Sequence, residues 1–294
     1  MVEQPNFASL QRNNNTGECF RDMMLITSAL LGVAIQLSFA RAQTCDTYVV
    51  PSITGGFAQR QFIDFSNVSP GGNVASFLSA NGISISNYPI TAGPVPHTFT
   101  PNNVAFGSGS LDMKVSAYSG SGSILSSEVV TNDLFKYASV RTVLKSSGVP
   151  GVVEGNFFYL NDNQEIDWEI LTSTTLQPSA DVPAGIWATN QATTPGQPST
   201  HATIPFTFDP SQGYHEYRID WAADATTFYI DGVQKARFTT NVPTQAGNWI
   251  WNSWSNGDPF WSNGPPTADS ITHIRSIEIY KGYTSTRSGT ICNI

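Results

Sequence analysis

The chain has 294 residues, 40% of them hydrophobic and only 12% charged, about half the usual charged share, which argues against disorder and coiled coil. Its Gly 24 and Pro 18 favour many short strands over long helices. With 14 basic against 22 acidic residues and a net charge of −8, it lacks the Lys and Arg clusters that nucleic acid requires.

The first element in chain order is the apolar run Met23–Ala40, preceded by Arg12 and Arg21 and followed by Ala40-Arg41-Ala42 before Gln43. It reads as a secretory signal peptide cleaved after Ala42. Residues 1–42 are then an extension that is removed, and residues 43–294 form one domain. Asn13, Asn14 and Asn15 are unlike a signal's opening stretch, so Met23 or Met24 stands beside Met1 as the start. A membrane anchor is the competing reading, weakened by Thr27, Ser28, Gln36 and Ser38 in a run near the lower limit for a span. No stable membrane insertion is expected after cleavage.

Removing the leader takes Cys19 with it and leaves Cys45 and Cys292 near the two ends of the mature chain. An oxidising compartment would join such an isolated pair as a disulfide; two free thiols are the alternative. Asn67-Val68-Ser69 is an N-glycosylation acceptor, as suits a secreted surface loop.

Beyond residue 45 no segment of helical period has convincing length. Short β-branched and aromatic runs recur instead between Gly, Pro, Asn and Asp clusters: residues 110–118, 138–145, 155–160, 165–171 and 215–221. Residues 228–230 lead into Asp231-Gly232, a hairpin signal because both central residues of that turn take positive φ, and residues 233–238 return. Residues 271–280 close the set, with apolar positions at Ile271, Ile274, Ile277 and Ile279. The fold class is all-β, a jelly-roll sandwich of two curved antiparallel sheets.

The run Glu165-Ile166-Asp167-Trp168-Glu169 decides the chemistry. Alternation on a strand puts Glu165, Asp167 and Glu169 on one face and Ile166, Trp168 and Ile170 on the other, toward the core. Three carboxylates in a row repel one another, and folding gains nothing from them; an exposed edge or a calcium site is the bland alternative. Glycoside cleavage needs two carboxyl groups flanking the scissile bond, one as acid and one as nucleophile or base. Residues four apart on a flat strand sit about 13 Å apart at Cα, so the face must be concave for the two Glu side chains to converge.

These residues resemble the E-x-D-x-E signature of glycoside hydrolase family 16. Further segments resemble the same family in order: residues 214–221 followed by 228–232, then Glu128, Tyr137, Lys145 and residues 155–159 ahead of the acidic strand, and Asn252-Ser253-Trp254 after it. The resemblance covers roughly residues 100–282. It implies a concanavalin A-like fold, with Glu165 as nucleophile, Glu169 as general acid/base and Asp167 as helper. One residue between Asp167 and the second Glu resembles the lichenase and wall-transglycosylase branches, while Asn163-Gln164 departs from the Trp-Asp of bacterial lichenases.

Sugar rings pair apolar faces with hydroxyls, so their sites combine aromatic platforms with amides and carboxylates. By resemblance Asn252, Trp254 and Trp261 line the cleft and Glu128 bonds a sugar hydroxyl, with Trp187 a further candidate. Trp168, Trp221, Trp249 and Trp251 are expected in the core. His97, His201, His215 and His273 show no ligand spacing, so no catalytic metal and no cofactor are expected. The resemblance allows a structural calcium on the convex side.

The resulting expectation is a secreted monomer, extracellular or in a cell wall, acting on β-glucan. It would cleave β-1,3 or mixed β-1,3/1,4 linkages internally and with retention. A glucan or chitin transglycosylase of the same family is the alternative, and a non-catalytic jelly-roll lectin the second.

Overall fold

The structure is a computed structural model, and it describes residues 45–51 and 53–294. The signal segment, Cys19 and the alternative start sites lie outside these residues. The first strands are β1 (Thr47–Val49), β2 (Gly56–Asp64), β3 (Ile83–Ile85), β4 (Tyr88–Ile90), β5 (His97–Phe99), β6 (Val104–Phe106) and β7 (Leu111–Val115). Next come β8 (Ile124–Thr131), β9 (Ala138–Lys145), β10 (Val153–Asn161), β11 (Gln164–Leu171), β12 (Ile186–Asn190) and β13 (Thr200–Ile204). The last are β14 (His215–Trp221), β15 (Thr226–Ile230), β16 (Val233–Phe238), β17 (Asn248–Trp254), β18 (Ser270–Thr284) and β19 (Ile291–Asn293).

They form two sheets. One runs β16-β15-β14-β9-β18-β2-β1-β19 and carries β6 and β7 alongside β18. The other runs β13-β12-β11-β10-β17-β8-β5-β4, with β3 on β8. Pairing is antiparallel except for β1 on β19 and β5 on β8, which are parallel. The purely antiparallel expectation is corrected at these two places.

Between the sheets lies one large apolar core. Trp168, Trp221, Trp249 and Trp251 are all buried in it, as alternation required, and Ile166 and Ile170 flank Trp168 on the same face. Asp231 and Gly232 take φ of 49° and 73°, the turn expected between β15 and β16. Among the described residues one short α-helix, α1 (Val74–Ala80), follows its N-cap Asn73, whose side chain accepts from the Ser76 amide.

β7 and β18 depart from the sequence reading. β7 stops at Val115 rather than 118, because the Ala117 amide turns to the Asp269 carboxylate at 2.9 Å and the Tyr118 amide to the Pro266 carbonyl. In β18 the register slips between Ile274 and Ser276. That bulge explains the uneven spacing of its isoleucines: Ile274 and Ile277 both reach the core although an odd number of steps separates them.

Cys45 and Cys292 form a disulfide, with Cα atoms 5.8 Å apart, where β1 lies beside β19. Asn67 is exposed in the turn after β2. Among the described residues no helix is long and apolar enough to cross a membrane, and no group of three or more His, Cys, Asp or Glu is placed to hold a metal ion.

Candidate active site

The acidic strand β11 is pinned at its start. The Gln164 side chain accepts the backbone amides of Thr244 and Gln245 at 2.8 and 3.1 Å, and the Asn163 amide donates to the Ala192 carbonyl at 2.6 Å. Gln164 and Asn163, where the sequence departs from the lichenase pattern, therefore tie β11 to neighbouring loops. The alternation that follows buries Ile166, Trp168 and Ile170 and turns Glu165, Asp167 and Glu169 to the opposite face of the sheet. Asp167 is buried there, while Glu165 and Glu169 are half-buried.

Each acid has a distinct partner. Glu165 shares a hydrogen bond with Asp167. Asp167 also accepts from the Gln191 side-chain amide at 2.9 Å. Glu169 accepts from the Trp261 indole N–H. Burial is the largest influence on all three and disfavours their charged forms, and repulsion from Asp167 adds to it at Glu165 and Glu169. The three titrate as one unit, and that unit keeps at least one proton at neutral pH.

The strand register extends the site sideways. Glu169 lies opposite Trp187 on β12 and Gly155 on β10; Gly155 lies opposite Asn252 on β17, and Asn252 opposite Glu128 on β8. One row of side chains thus crosses five strands. Gly155 keeps the floor of this row low: a Cβ there would stand 2.5 Å from Asn252 Oδ1. A cavity of about 560 Å³ runs across these strands, lined by Glu165, Asp167, Glu169, Glu128, Asn252 and Trp254 among others.

Of the expected contact residues, Glu128, Asn252 and Trp254 line this cavity together with the acids. Trp187 and Trp261 do not line it; their rings meet edge to face at 5.0 Å beside Glu169. The Glu128 carboxylate also has protein partners. Oε1 accepts from Ser86 at 2.7 Å and from Tyr88 at 2.9 Å, and Oε2 from Asn252 at 3.5 Å. Burial pushes the Glu128 carboxyl upward.

The sequence reading missed Gln191, Ser86, Tyr88 and His97. His97 is buried against Trp254, ring stacked on ring at 5.2 Å, and burial lowers it to about 4, so it is neutral. None of these carries a local signal. Gln191 follows β12, the neighbour of β11, Ser86 follows β3 beside β8, and Tyr88 and His97 lie on β4 and β5 at the far edge of the same sheet, an order that only the tertiary fold supplies.

The family described as "Glycosyl hydrolases family 16" matches residues 94–269. A beta-glucanase of Acetivibrio thermocellus is 29% identical over 160 residues, 52% of this chain and 45% of that protein. Crh-like protein 5 of Aspergillus fumigatus is 29% identical over 136 residues, 44% of this chain and 32% of that protein. The chain spans less than half the length of the first of these curated relatives. In structure it is similar to a Bacillus licheniformis beta-glucanase, at TM-score 0.59 and 20% identity over 76% of this chain and 98% of that one. A lichenase from a mouse hindgut metagenome gives TM-score 0.60 at 17% identity, covering 76% and 99%. At these identities the structural likeness establishes the fold, the jelly roll described above.

Proposed function

The chain belongs to family 16 of the glycosyl hydrolases, and from that premise we propose that it is a secreted, retaining endo-β-glucanase acting on β-1,3 or mixed β-1,3/1,4-glucan. The observation that carries the reading is the three aligned acids, each with its own partner, in a cavity long enough to cross several strands.

In the proposed reaction Glu169 gives its proton to the glycosidic oxygen as the bond from that oxygen to the anomeric carbon breaks. Glu165 bonds to the same carbon and forms the glycosyl-enzyme ester. Glu169, now a carboxylate, takes a proton from water, and the water oxygen displaces Glu165 to release the second product. Asp167, held by Gln191, shares the hydrogen bond that orients Glu165 and spreads its charge. Trp261 orients Glu169.

Transfer to a second sugar chain is the other reading, since it differs only in what attacks the ester. Similarity to a Crh-like protein beside the beta-glucanases supports it equally. The test is product analysis after incubation with laminarin, barley β-glucan, xyloglucan and chitin oligomers. Shorter products that vanish with Glu165→Gln support hydrolysis; products longer than the input support transfer. Binding without any change in any glycan would overturn both.

A further inference from the structure

The segment that carries Glu169 also fastens the loop that carries Trp261. β11 ends at Leu171, and Thr172 continues its pairing with the β10 side: the Thr172 amide donates to the Val152 carbonyl and the Val152 amide to the Thr172 hydroxyl, both at 2.9 Å. One residue on, Ser173 Oγ accepts the Gly151 amide at 2.7 Å and stands 3.2 and 3.3 Å from the Ser262 and Asn263 carbonyl oxygens. Its single proton serves one of these carbonyls at a time.

The loop between β17 and β18 is bonded to itself around Asp258. The Asp258 carbonyl accepts the amides of Trp261 and Asn263 at 3.2 and 2.7 Å, and its Oδ1 accepts that of Phe260 at 2.9 Å. The loop's two ends are tied by the Val95 amide on the Asn256 carbonyl and the Tyr118 amide on the Pro266 carbonyl. Its middle, with Trp261, meets the rest of the chain at Ser173. There two backbones touch: a Cβ on Gly151 would stand 3.0 Å from Gly264 Cα, and one on Gly264 would run into the Gly151 carbonyl oxygen. Trp261 packs at 5.0 Å on Trp187, the residue opposite Glu169 across β11 and β12.

We infer that Ser173 is a positioning residue for the general acid/base: four residues beyond Glu169, its hydroxyl holds the 255–266 loop so that the Trp261 indole stays aimed at Glu169. The inference rests on the glucanase reading for the role of Glu169. Around Glu169 lie Asp167 on its own strand, Gly155 on β10 and Trp187 on β12, with His201 of β13 packed on Trp187 at 5.9 Å. Asp167 supplies the neighbouring charge and Trp261 the donor.

The test reads Trp261 with and without turnover. kcat and KM on laminarin and barley β-glucan are measured across pH for the unaltered chain, Ser173→Ala, Ser173→Thr, Gly264→Ala, Trp261→Phe and the double variant Ser173→Ala with Trp261→Phe. The indole N–H signals of the same proteins are followed by nitrogen–proton NMR correlation, Trp261's being the one that Trp261→Phe deletes. Ser173→Ala should lower kcat by about three- to tenfold, the size of one hydrogen bond, with KM nearly unchanged. It should also move the alkaline limb of kcat/KM upward, because Glu169 loses its donor and keeps its proton to higher pH. The Trp261 signal should shift toward that of free indole while those of Trp168, Trp221, Trp249 and Trp251 stay. Ser173→Thr, which keeps the hydroxyl, should restore both readouts. In the double variant Ser173→Ala should add nothing to Trp261→Phe. Gly264→Ala opens the same seam from the other side and should reproduce the shift, which keeps the test decisive where Ser173→Ala does not fold.

An alkaline limb and a Trp261 signal that both stay in place in Ser173→Ala and Gly264→Ala would overturn the inference. So would a Ser173→Ala loss that adds in full to that of Trp261→Phe, or failure of both seam variants to fold, which would assign the seam to stability alone. No turnover of any glucan by the unaltered chain would overturn the glucanase reading instead, and the Trp261 signal would still decide whether Ser173 holds the loop.

Discussion

The side-chain amide of Gln191 donates to Asp167 Oδ2 at 2.9 Å, across 24 residues of sequence. That bond favours the charged form of Asp167 against the burial that opposes it. Gln191→Leu removes it and pushes Asp167 further up. The nucleophile's side of the acid cluster then ionises at higher pH, so the acidic limb of the kcat/KM profile should move upward. An unmoved limb would separate Gln191 from catalysis.

Trp261 acts on the other end of the cluster. Its indole N–H holds Glu169 lower than burial alone would. Trp261→Phe keeps a ring against Trp187 but removes the donor, so Glu169 should keep its proton to higher pH. The alkaline limb is expected to shift upward, the acidic limb far less. A pH–rate profile of this variant beside Gln191→Leu tests whether the two limbs are controlled separately.

Removing an acid should cost activity and raise stability together. Glu165→Gln and Glu169→Gln should each lower kcat by at least ~10²-fold on natural glucan. Both take a half-buried carboxylate out of a cluster of like charges, so thermal melts at neutral pH should show a higher Tm for each variant. A lower Tm would mean that the cluster's hydrogen bonds outweigh its repulsion.

A second titrating group lies on the core side of β10. Glu154 Oε1 accepts the Ser147 amide at 2.8 Å and the Thr272 hydroxyl at 2.7 Å, bridging the two sheets, while Oε2 has no partner among the described residues. Burial pushes this carboxyl up to about 7. The folded chain therefore holds the proton more tightly than the unfolded one, whose Glu titrates near ~4.3. Its stabilising contribution is complete below that ordinary value and is lost as pH rises toward about 7, a fall of roughly 3–4 kcal/mol. Glu154→Gln should flatten the decline of Tm across this window. An unchanged slope would assign the decline to the catalytic acids instead.

Gly155 makes a steric prediction. Alanine there would bring a methyl group to 2.5 Å from Asn252 Oδ1, in the row that joins Glu169 to Glu128. Gly155→Ala should displace Asn252 and raise KM, with a stability cost of about 1–3 kcal/mol from overpacking. Valine should be worse than alanine in both measurements.

What the sequence made legible was what the chain decides locally. Alternation along β11 placed Glu165, Asp167 and Glu169 on one face and Trp168 in the core, because a strand's period of two needs no knowledge of its neighbours. The Asp231-Gly232 turn was legible for the same reason. Gln191, Ser86 and Tyr88 were not, since their importance depends on which strands lie adjacent. Glu128 was found by resemblance, yet its hydrogen bonds to Ser86 and Tyr88 emerge only when β8 is seen beside β3 and β4. The bulge in β18 likewise broke a regular pattern that its isoleucines alone could not explain.

The parallel pairing of β1 with β19, sealed by Cys45–Cys292, brings residues separated by 247 positions to one edge of the sheet that does not carry the acids. The polypeptide is in effect a ring interrupted at that edge. A circularly permuted version, with residues 45 and 294 joined by a short linker and new ends opened in the exposed turn at Gly120–Gly122, should fold to the same sandwich and keep its cleft intact.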